Sequence, residues 1–303
     1  MTPTRPITLV SEPTIVLLAE MALHPEGVLE MAKWVKRYRP ECVPSKGFNS
    51  VLDLLPHDGT DGPLICRMCG HVGSTCSCRG GDLLENKRKR TVTDNELLCE
   101  LAGRKCYDSF AEKAAPRSNA DYLASMWTGR DVVHRSTGYH AKMSFFFAHI
   151  SRRVSHELIR NYVGADRSEE GNPSQESTRF THHPGIYILH PRDQGDPETV
   201  RLESQDNYNR YCGYIDSEIA SFKLSHGHEP KGMDRKRIYE SAAGRLSMSC
   251  GTSFLWTTNP MAMAKFFAER CDEAADLEMS RFATAWKKFS LARWPGLFPM
   301  VKS

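Results

Sequence analysis

No run of eighteen apolar residues occurs in the chain, so nothing in it reads as a membrane-spanning helix. Its first residues, MTPTRPITLVSEPTIVLLAEM, lack the basic start, unbroken apolar stretch and cleavage site of a secretory leader, and we expect a soluble cytoplasmic protein. Neither GxGxxG nor a P-loop is present, so a bound dinucleotide would have to be held outside the usual glycine-rich folds. Internal repeats are missing. A strong charge of one sign is missing too: 40 Lys and Arg against 37 Asp and Glu leave a formal +3, too little to argue for nucleic acid. The local run Lys87-Arg88-Lys89-Arg90 reads as a solvated linker.

What is there is ordinary globular composition, 40% hydrophobic and 25% charged over 303 residues, enough for one large domain or two small ones. Cysteine is plentiful. Ten cysteines without a leader argue against a disulfide framework and for thiols that are buried, metal-bound or incidental. Four of them cluster: Cys66, Cys69, Cys76 and Cys78 form CxxC and then CxC, with Gly70, Gly73 and Ser74 supplying tight turns. Four thiolates so placed close a tetrahedral zinc site, whose binding energy can fold a segment poor in apolar residues. Free thiols, or His71 in place of one cysteine, are the alternatives. A zinc module beside a basic run also suits nucleic acid, but no recognition helix or interleaved aromatics accompany it, which favours a lid or brace.

Ile7 to Val10 has strand character, and Pro25 to Arg39 reads as a helix leading into Pro- and Gly-rich sequence. Thr93 or Asp94 caps a helical run bearing Leu97, Leu98, Leu101 and Ala102. Helices follow at Asp121–Thr128 and Asn207–Leu224, strands at Lys142–His149 and Gly185–Leu189, and one long helix-forming run at Met261–Phe289.

The densest polar chemistry lies between Ser151 and Phe180, SRRVSHELIRNYVGADRSEEGNPSQESTRF. Ile150, Val154, Leu158 and Tyr162 recur at intervals of four on one helical face, with Arg153, Glu157, Arg160 and Asn161 on another. In SQESTRF an extended chain would point Gln175, Ser177 and Arg179 the same way. Two arginines, a carboxylate, an amide and a hydroxyl suit a phosphorylated, hydrogen-bonding small molecule. A solvated helix with a salt-bridged loop fits the same periodicity.

Read outward, the segment HRSTGYHAKMSFFFAHISRRVSHELIRNY from His134 resembles the core of the flavin-dependent thymidylate synthase (ThyX) family. The late stretch from Trp256 to Glu278 carries that family's Asn, then Arg eleven positions later, then Ala-Asp-x-Glu, here Asn259, Arg270 and Ala275 to Glu278. LAGRKCYDS, Leu101 to Ser109, is similar to the end of the family's first helix. The resemblance implies an α/β (α+β) fold with a central sheet flanked by helices, formed by residues 1–20 and 93–303; residues 21–92 are then an insertion, to which the cysteine cluster assigns zinc. It also implies a homotetramer with active sites shared between subunits.

The activity implied is C5 methylation of a uridine monophosphate, with methylenetetrahydrofolate as carbon donor, FAD as hydride carrier and NADPH as reductant. Carried over position by position, the flavin would be held by His134, Ser136, Arg160, Asn161, Tyr162, Gln175 and Asn259. The nucleotide would meet Glu157, Arg160, Gln175, Glu176, Ser177, Thr178, Arg179, Arg245 and Arg270. Arg179 and Arg245 go to phosphate, and Arg270 stabilises charge developing on the uracil ring. Ser177 polarises or positions substrate, with no adjacent His to make it a nucleophile. For Arg270 the plain alternative is a helix-surface salt bridge to Glu269 or Glu273. Three departures stand out. Arg-Asn-Tyr replaces the family's Arg-His-Arg trio, Tyr162 and Ser177 enclose fourteen residues, about twice the usual spacing, and Ala274 stands where a His is common. The first two look like the branch tied to nucleoside-antibiotic pathways, acting on UMP as well as dUMP. The alternative from another class is a catalytically inactive, zinc-containing nucleotide or nucleic-acid binding protein on the same scaffold.

Overall fold

The computed structural model describes residues 5–42, 55, 92–107, 109–110, 117–128, 134–163, 172–299 and 301, with the backbone alone for 25, 42, 160–163 and 172. The cysteine cluster 66–78 and the basic run 87–90 lie outside the described residues, and with them the zinc prediction. In chain order the elements are β1 (Thr8–Val10), β2 (Thr14–Glu20), α1 (Pro25–Tyr38), α2 (Asp94–Tyr107), α3 (Asn119–Trp127), β3 (Met143–Ser151), α4 (Arg152–Val163) and β4 (Asn172–Gln175). Then come β5 (Ile186–Ile188), α5 (Pro197–His226), α6 (Gly232–Ala243), β6 (Gly251–Thr258), α7 (Pro260–Arg270) and α8 (Leu277–Arg293). The mixture of helices and sheets is the α/β class expected. Among the described residues no helix is long and apolar enough to cross a membrane.

The chain divides into two compact units. The first comprises 1–18, 144–257 and 266–286. Most of a four-stranded sheet of order β2-β3-β6-β4 belongs to it, with β4 antiparallel to β6 and Gln175 opposite Phe254. Strand β3 has the alternation its sequence demands: Phe145 and Phe147 are buried while Ser144 and Phe146 are only partly so. Trp286 meets Phe145 and Phe147 edge-on, at 5.2 and 5.0 Å between centroids, and Phe254, Phe266 and Phe282 complete an aromatic core. Edge-on pairs of this kind contribute about 0.5–1.5 kcal/mol each beyond area burial. The alternation breaks at His149, which adopts φ +57°, where a non-glycine side chain needs local support. Thr14 Oγ1 provides it at 2.9 Å from His149 Nδ1. A separate pair of strands, β1 and β5, runs parallel, Leu9 opposite Tyr187. Tyr187, Tyr208, Tyr211, Tyr239 and Ile238 pack there as a second cluster with α5 and α6.

The second unit comprises 19–143, 258–265 and 287–303. Helix α1 sets Val28, Ala32 and Val35 against Leu97 and Leu101 of α2. Of the two capping candidates Thr93 takes the role: its N–H and hydroxyl donate to Glu96 Oε2 at 2.8 and 3.0 Å, while Glu96 N–H donates back to Thr93 Oγ1. Glu96 Oε1 also accepts from Gly296 N–H, and Glu20 accepts from Trp294 Nε1 and Arg293, binding the chain's end to its beginning. At Gly138 a Cβ would come within 2.7 Å of Met261, so only glycine fits that contact.

Two expectations about elements are corrected. The run Met261–Phe289 is two helices: Cys271 N–H still bonds Phe267 O, but Asp276 Oδ1 then accepts from Glu278 and Met279 N–H and starts α8 afresh. And SQESTRF is not one extended segment. β4 ends at Gln175, and the Ser177 carbonyl accepts from Phe180 and Thr181 N–H, folding Ser177 to Thr181 into a turn, so Gln175, Ser177 and Arg179 do not share a face.

Candidate functional site

Helix α4 seats its apolar face through Val154 and Leu158, both buried, with Ile150 just ahead in β3 also buried. Its start is pinned from far along the chain. Glu278 accepts from Ser151 N–H and Ser151 Oγ, each at 2.8 Å, and from Arg153 Nη2 at 2.9 Å, while Ser151 Oγ accepts from Val154 N–H. The helix is thereby fixed, with Glu157 on its polar side. Arg270, last residue of α7, places Nη1 3.6 Å from Glu157 Oε2. Arg270 is thereby brought beside a carboxylate more than a hundred positions away in the chain. Both side chains remain about a quarter exposed, 26% and 28%, so this charge pair faces solvent where a ligand can reach it.

Gln175 is used differently. Its Nε2 donates to Ser155 Oγ at 2.8 Å and Thr252 Oγ1 at 3.1 Å, tying β4 to α4 and β6. Glu176 anchors the following turn: its carbonyl accepts from Arg152 Nη2 at 2.9 Å, and its carboxylate accepts from Ser253 and, at 3.5 Å, Thr181. Ser177 and Thr178 open that turn, half-buried. Arg179, within it, is exposed and lies 3.7 Å from Glu240 of α6. Arg245 lays its guanidinium 3.4 Å above the Tyr214 ring and donates to Ser241 O, so in this state it is stacked on α5. The side chains of Arg160, Asn161 and Tyr162 lie outside the described residues.

Of the positions tied to flavin by resemblance, His134, Ser136 and Asn259 belong to the second unit. His134, half-buried, has Tyr107 Oη 2.6 Å from Nε2, with the two rings edge-on, and Ser136 is exposed nearby in sequence on a short 3-10 helix. These are donors and acceptors that a flavin can use. Asn259 is not so placed: it is fully buried, and its Oδ1 accepts from Met261 and Ala262 N–H as the cap of α7. Tyr107, Ser155 and Thr252 carry no role in the sequence reading, and Glu278 enters it only as the end of the Ala-Asp-x-Glu motif. A tyrosine inside LAGRKCYDS was the only signal for the first, and the others act through tertiary contacts that periodicity does not encode.

A cavity of about 530 Å³ opens elsewhere in the first unit, lined by Arg153, His190, Asn207, Ser247, Ser249 and Glu278 among others; none of the predicted site residues lines it. Burial pushes the Cys250 thiol up to about 11 and the Cys99 thiol up to about 12, so neither is a ready nucleophile. Burial also lowers His183, whose Nδ1 accepts from Gly185 N–H and whose Nε2 lies 3.0 Å from Gly251 O, the pattern of a neutral structural imidazole. Among the described residues no cluster of His, Cys, Asp and Glu can hold a metal ion.

A family model described as thymidylate synthase complementing protein matches residues 89–295. A flavin-dependent thymidylate synthase of Mycobacterium sp. (strain KMS) is 31% identical over 210 residues, 66% of this chain and 78% of that protein. The enzyme of the same name from Mycobacterium tuberculosis (strain ATCC 25177 / H37Ra) is 30% identical over 206 residues, 66% and 77% of the two chains. Among solved structures, the UMP/dUMP methylase PolB from Streptomyces cacaoi, bound with 5-Br UMP, superposes with a TM-score of 0.52 over 96% of this chain and 94% of its own. At 14% identity that likeness is one of fold.

Proposed function

Since the chain belongs to the thymidylate synthase complementing protein family, we propose that it methylates C5 of a uridine monophosphate, UMP or dUMP, as a flavin-dependent enzyme. The observation that carries this is the partly exposed Arg270–Glu157 pair, built from two motifs that the family spaces across the chain. Methylation at C5 requires the uracil ring to become nucleophilic, and negative charge gathers on its carbonyl oxygens as it does so. A guanidinium set beside a carboxylate and partly open to solvent can turn toward such an oxygen and stabilise that charge, with no proton transfer. Glu157 orients the cation, and Glu278 holds the helix that carries Glu157. Gln175, bonded to Ser155 and Thr252, ties β4 to α4 and β6.

His134, Ser136 and Arg160 are the residues that would hold FAD. When bound, FAD would supply a hydride, methylenetetrahydrofolate the one-carbon unit and NADPH the reducing equivalents, while the C5 hydrogen leaves as a proton. With Asn161 and Tyr162 replacing a histidine and an arginine, the grip on the flavin is weaker or differently arranged than in the family. The buried Asn259 contributes by holding the start of α7.

Tritium release from C5-labelled dUMP and UMP tests the reading. Protein supplied with FAD, NADPH and methylenetetrahydrofolate is expected to release label from both. Release from dUMP alone returns the chain to ordinary thymidylate synthesis, and no release from flavin-loaded protein overturns the enzyme reading in favour of a binding protein on this scaffold. The inserted segment is proposed to hold about one zinc per chain on Cys66, Cys69, Cys76 and Cys78, and elemental analysis finding no stoichiometric metal removes that proposal. A homotetramer with shared sites, the assembly the family implies, is checked by sedimentation.

A further inference from the structure

The cavity of about 530 Å³ in the first unit falls in the size range of small-molecule sites, roughly 300–1,000 Å³, and its walls are fixed by a bonded framework. Helix α5 turns one face to it, with Val200, Ser204, Asn207 and Arg210 at spacings of three and four. Asn207 holds the wall together: its Oδ1 accepts from Tyr187 Oη at 2.8 Å and Ser247 N–H at 3.1 Å, and its Nδ2 donates to Arg245 O at 2.8 Å. Ser247 and Ser249, which also line the cavity, bond to each other through their hydroxyls at 2.7 Å. Ser204 is different. It is only 5% exposed and lines the cavity, yet among the described residues its hydroxyl has no hydrogen-bond partner, where a buried hydroxyl ordinarily has one.

The charges on these walls do not cancel. Arg153 Nη2 lies 2.9 Å from Glu278 Oε2, Arg210 Nη2 lies 2.9 Å from Asp206 Oδ2, and His190 Nε2 stands 3.9 Å from Asp276 Oδ2. Each basic group of the lining therefore has its own carboxylate. Asp193, in the 3-10 turn Pro191–Gly195, and Glu203, on α5, line the cavity as well, and among the described residues neither has a cation within salt-bridge distance. Ile188, Val200 and Met248 give the same space an apolar wall. Two surplus carboxylates, an unpartnered hydroxyl and an apolar wall together suit an aliphatic stem that carries ammonium groups. Its N–H donors meet the carboxylates and Ser204 Oγ, and its methylenes cover the apolar side chains. An anion would be repelled by the surplus charge. We propose that this cavity is a further ligand site, for a small alkylammonium compound. The site is independent of the nucleotide and flavin reading, since none of the residues assigned to those ligands lines it. The plainer account is a solvent-filled cleft with carboxylates that serve only solubility, and it predicts no preference among ligands of equal length and different charge.

Calorimetric titration of the full chain, with FAD added, separates the two. The probes are three compounds of matched length: 1,5-diaminopentane, the neutral 1,5-pentanediol and the dianion glutarate. The diamine is expected to bind with a Kd below about 1 mM, and the diol and glutarate at least about tenfold more weakly. Asp193→Asn and Glu203→Gln are each expected to weaken the diamine roughly 5- to 20-fold. Both carboxylates are exposed, so neither change should move the denaturation midpoint. The double charge reversal, Asp193→Lys with Glu203→Lys, is expected to lose the diamine and take up glutarate, a gain that a misfolded variant cannot imitate. Equal affinity of the wild type for diamine and diol, or a preference for glutarate, overturns the ammonium assignment, as does a double variant that gains no glutarate. Diamine binding that survives both neutral variants is held elsewhere and overturns the site. No measurable heat with any of the three compounds shows a solvent-filled cleft and overturns it likewise.

Discussion

Each unit of the molecule contains an arginine–glutamate pair, and the two pairs have little else in common. In the second unit Arg104 Nε donates to Glu100 at 2.9 Å, with side chains 1% and 0% exposed. Nη1 of the same arginine reaches Ser109 O, its plane lies 4.2 Å over Tyr122, and Asn119 donates to the other oxygen of Glu100. In the first unit Arg270 and Glu157 stand 3.6 Å apart with about a quarter of each side chain in solvent. A charge that is buried and multiply bonded cannot turn away without leaving its partner stranded, so it braces the fold. A charge with a quarter of its side chain in solvent can turn toward a ligand more readily, as a ligand site requires. Burial, more than the presence of an ion pair, marks which arginine is architecture.

The sharpest way to break this comparison is to remove each arginine. Arg104→Leu should cost about 3–5 kcal/mol of unfolding free energy, measured by denaturant titration, because Glu100 is left buried and unpaired. Arg270→Ala should lower kcat roughly 100- to 1000-fold while changing unfolding free energy by less than about 1 kcal/mol. A large stability loss in Arg270→Ala, or full activity, would erase the distinction.

Titration extends the contrast to a buried group of the first unit. Burial lowers His183 in the folded state, so the unfolded chain takes up a proton first as pH falls. Its contribution is fully present above its ordinary range near 6.5 and declines as pH drops below it, with a slope of up to about 1.4 kcal/mol per pH unit. Equilibrium unfolding measured between pH 7.5 and 5.5 should show the decline, and His183→Gln should flatten it. The smallest effect is expected at the α2 cap, where Thr93→Ala should cost about 1 kcal/mol in the same assay and leave kcat unchanged.

Much of this was readable from the chain. The α4 face follows from Val154 and Leu158, the α2 start from the capping candidates Thr93 and Asp94, and the strands β1, β3 and β5 from short apolar runs, since these are local periodicities and local bonds. What was not readable depends on partners. Met261 to Phe289 keeps helical spacing across a break that Asp272 and Asp276 impose by accepting backbone N–H groups, and an aspartate looks the same in a helix as at its cap. The turn after Gln175 is made by a carbonyl, which no side-chain pattern announces. At the site, sequence placed Arg270 and Arg179 among the residues of interest, but Glu157 and Glu240 as their companions emerge only from tertiary geometry.

The clamp by Glu278 bears on how the chain is made. Ser151, which it holds through two hydrogen bonds, leaves the ribosome 127 residues earlier. Until Glu278 follows, α4 can coil but has no carboxylate to neutralise its first turn, and Glu157 has no fixed bearing. Arg270 also emerges long after Glu157. The active arrangement is therefore a late product of synthesis, and a nascent chain stalled before residue 278 carries the helix without its anchor.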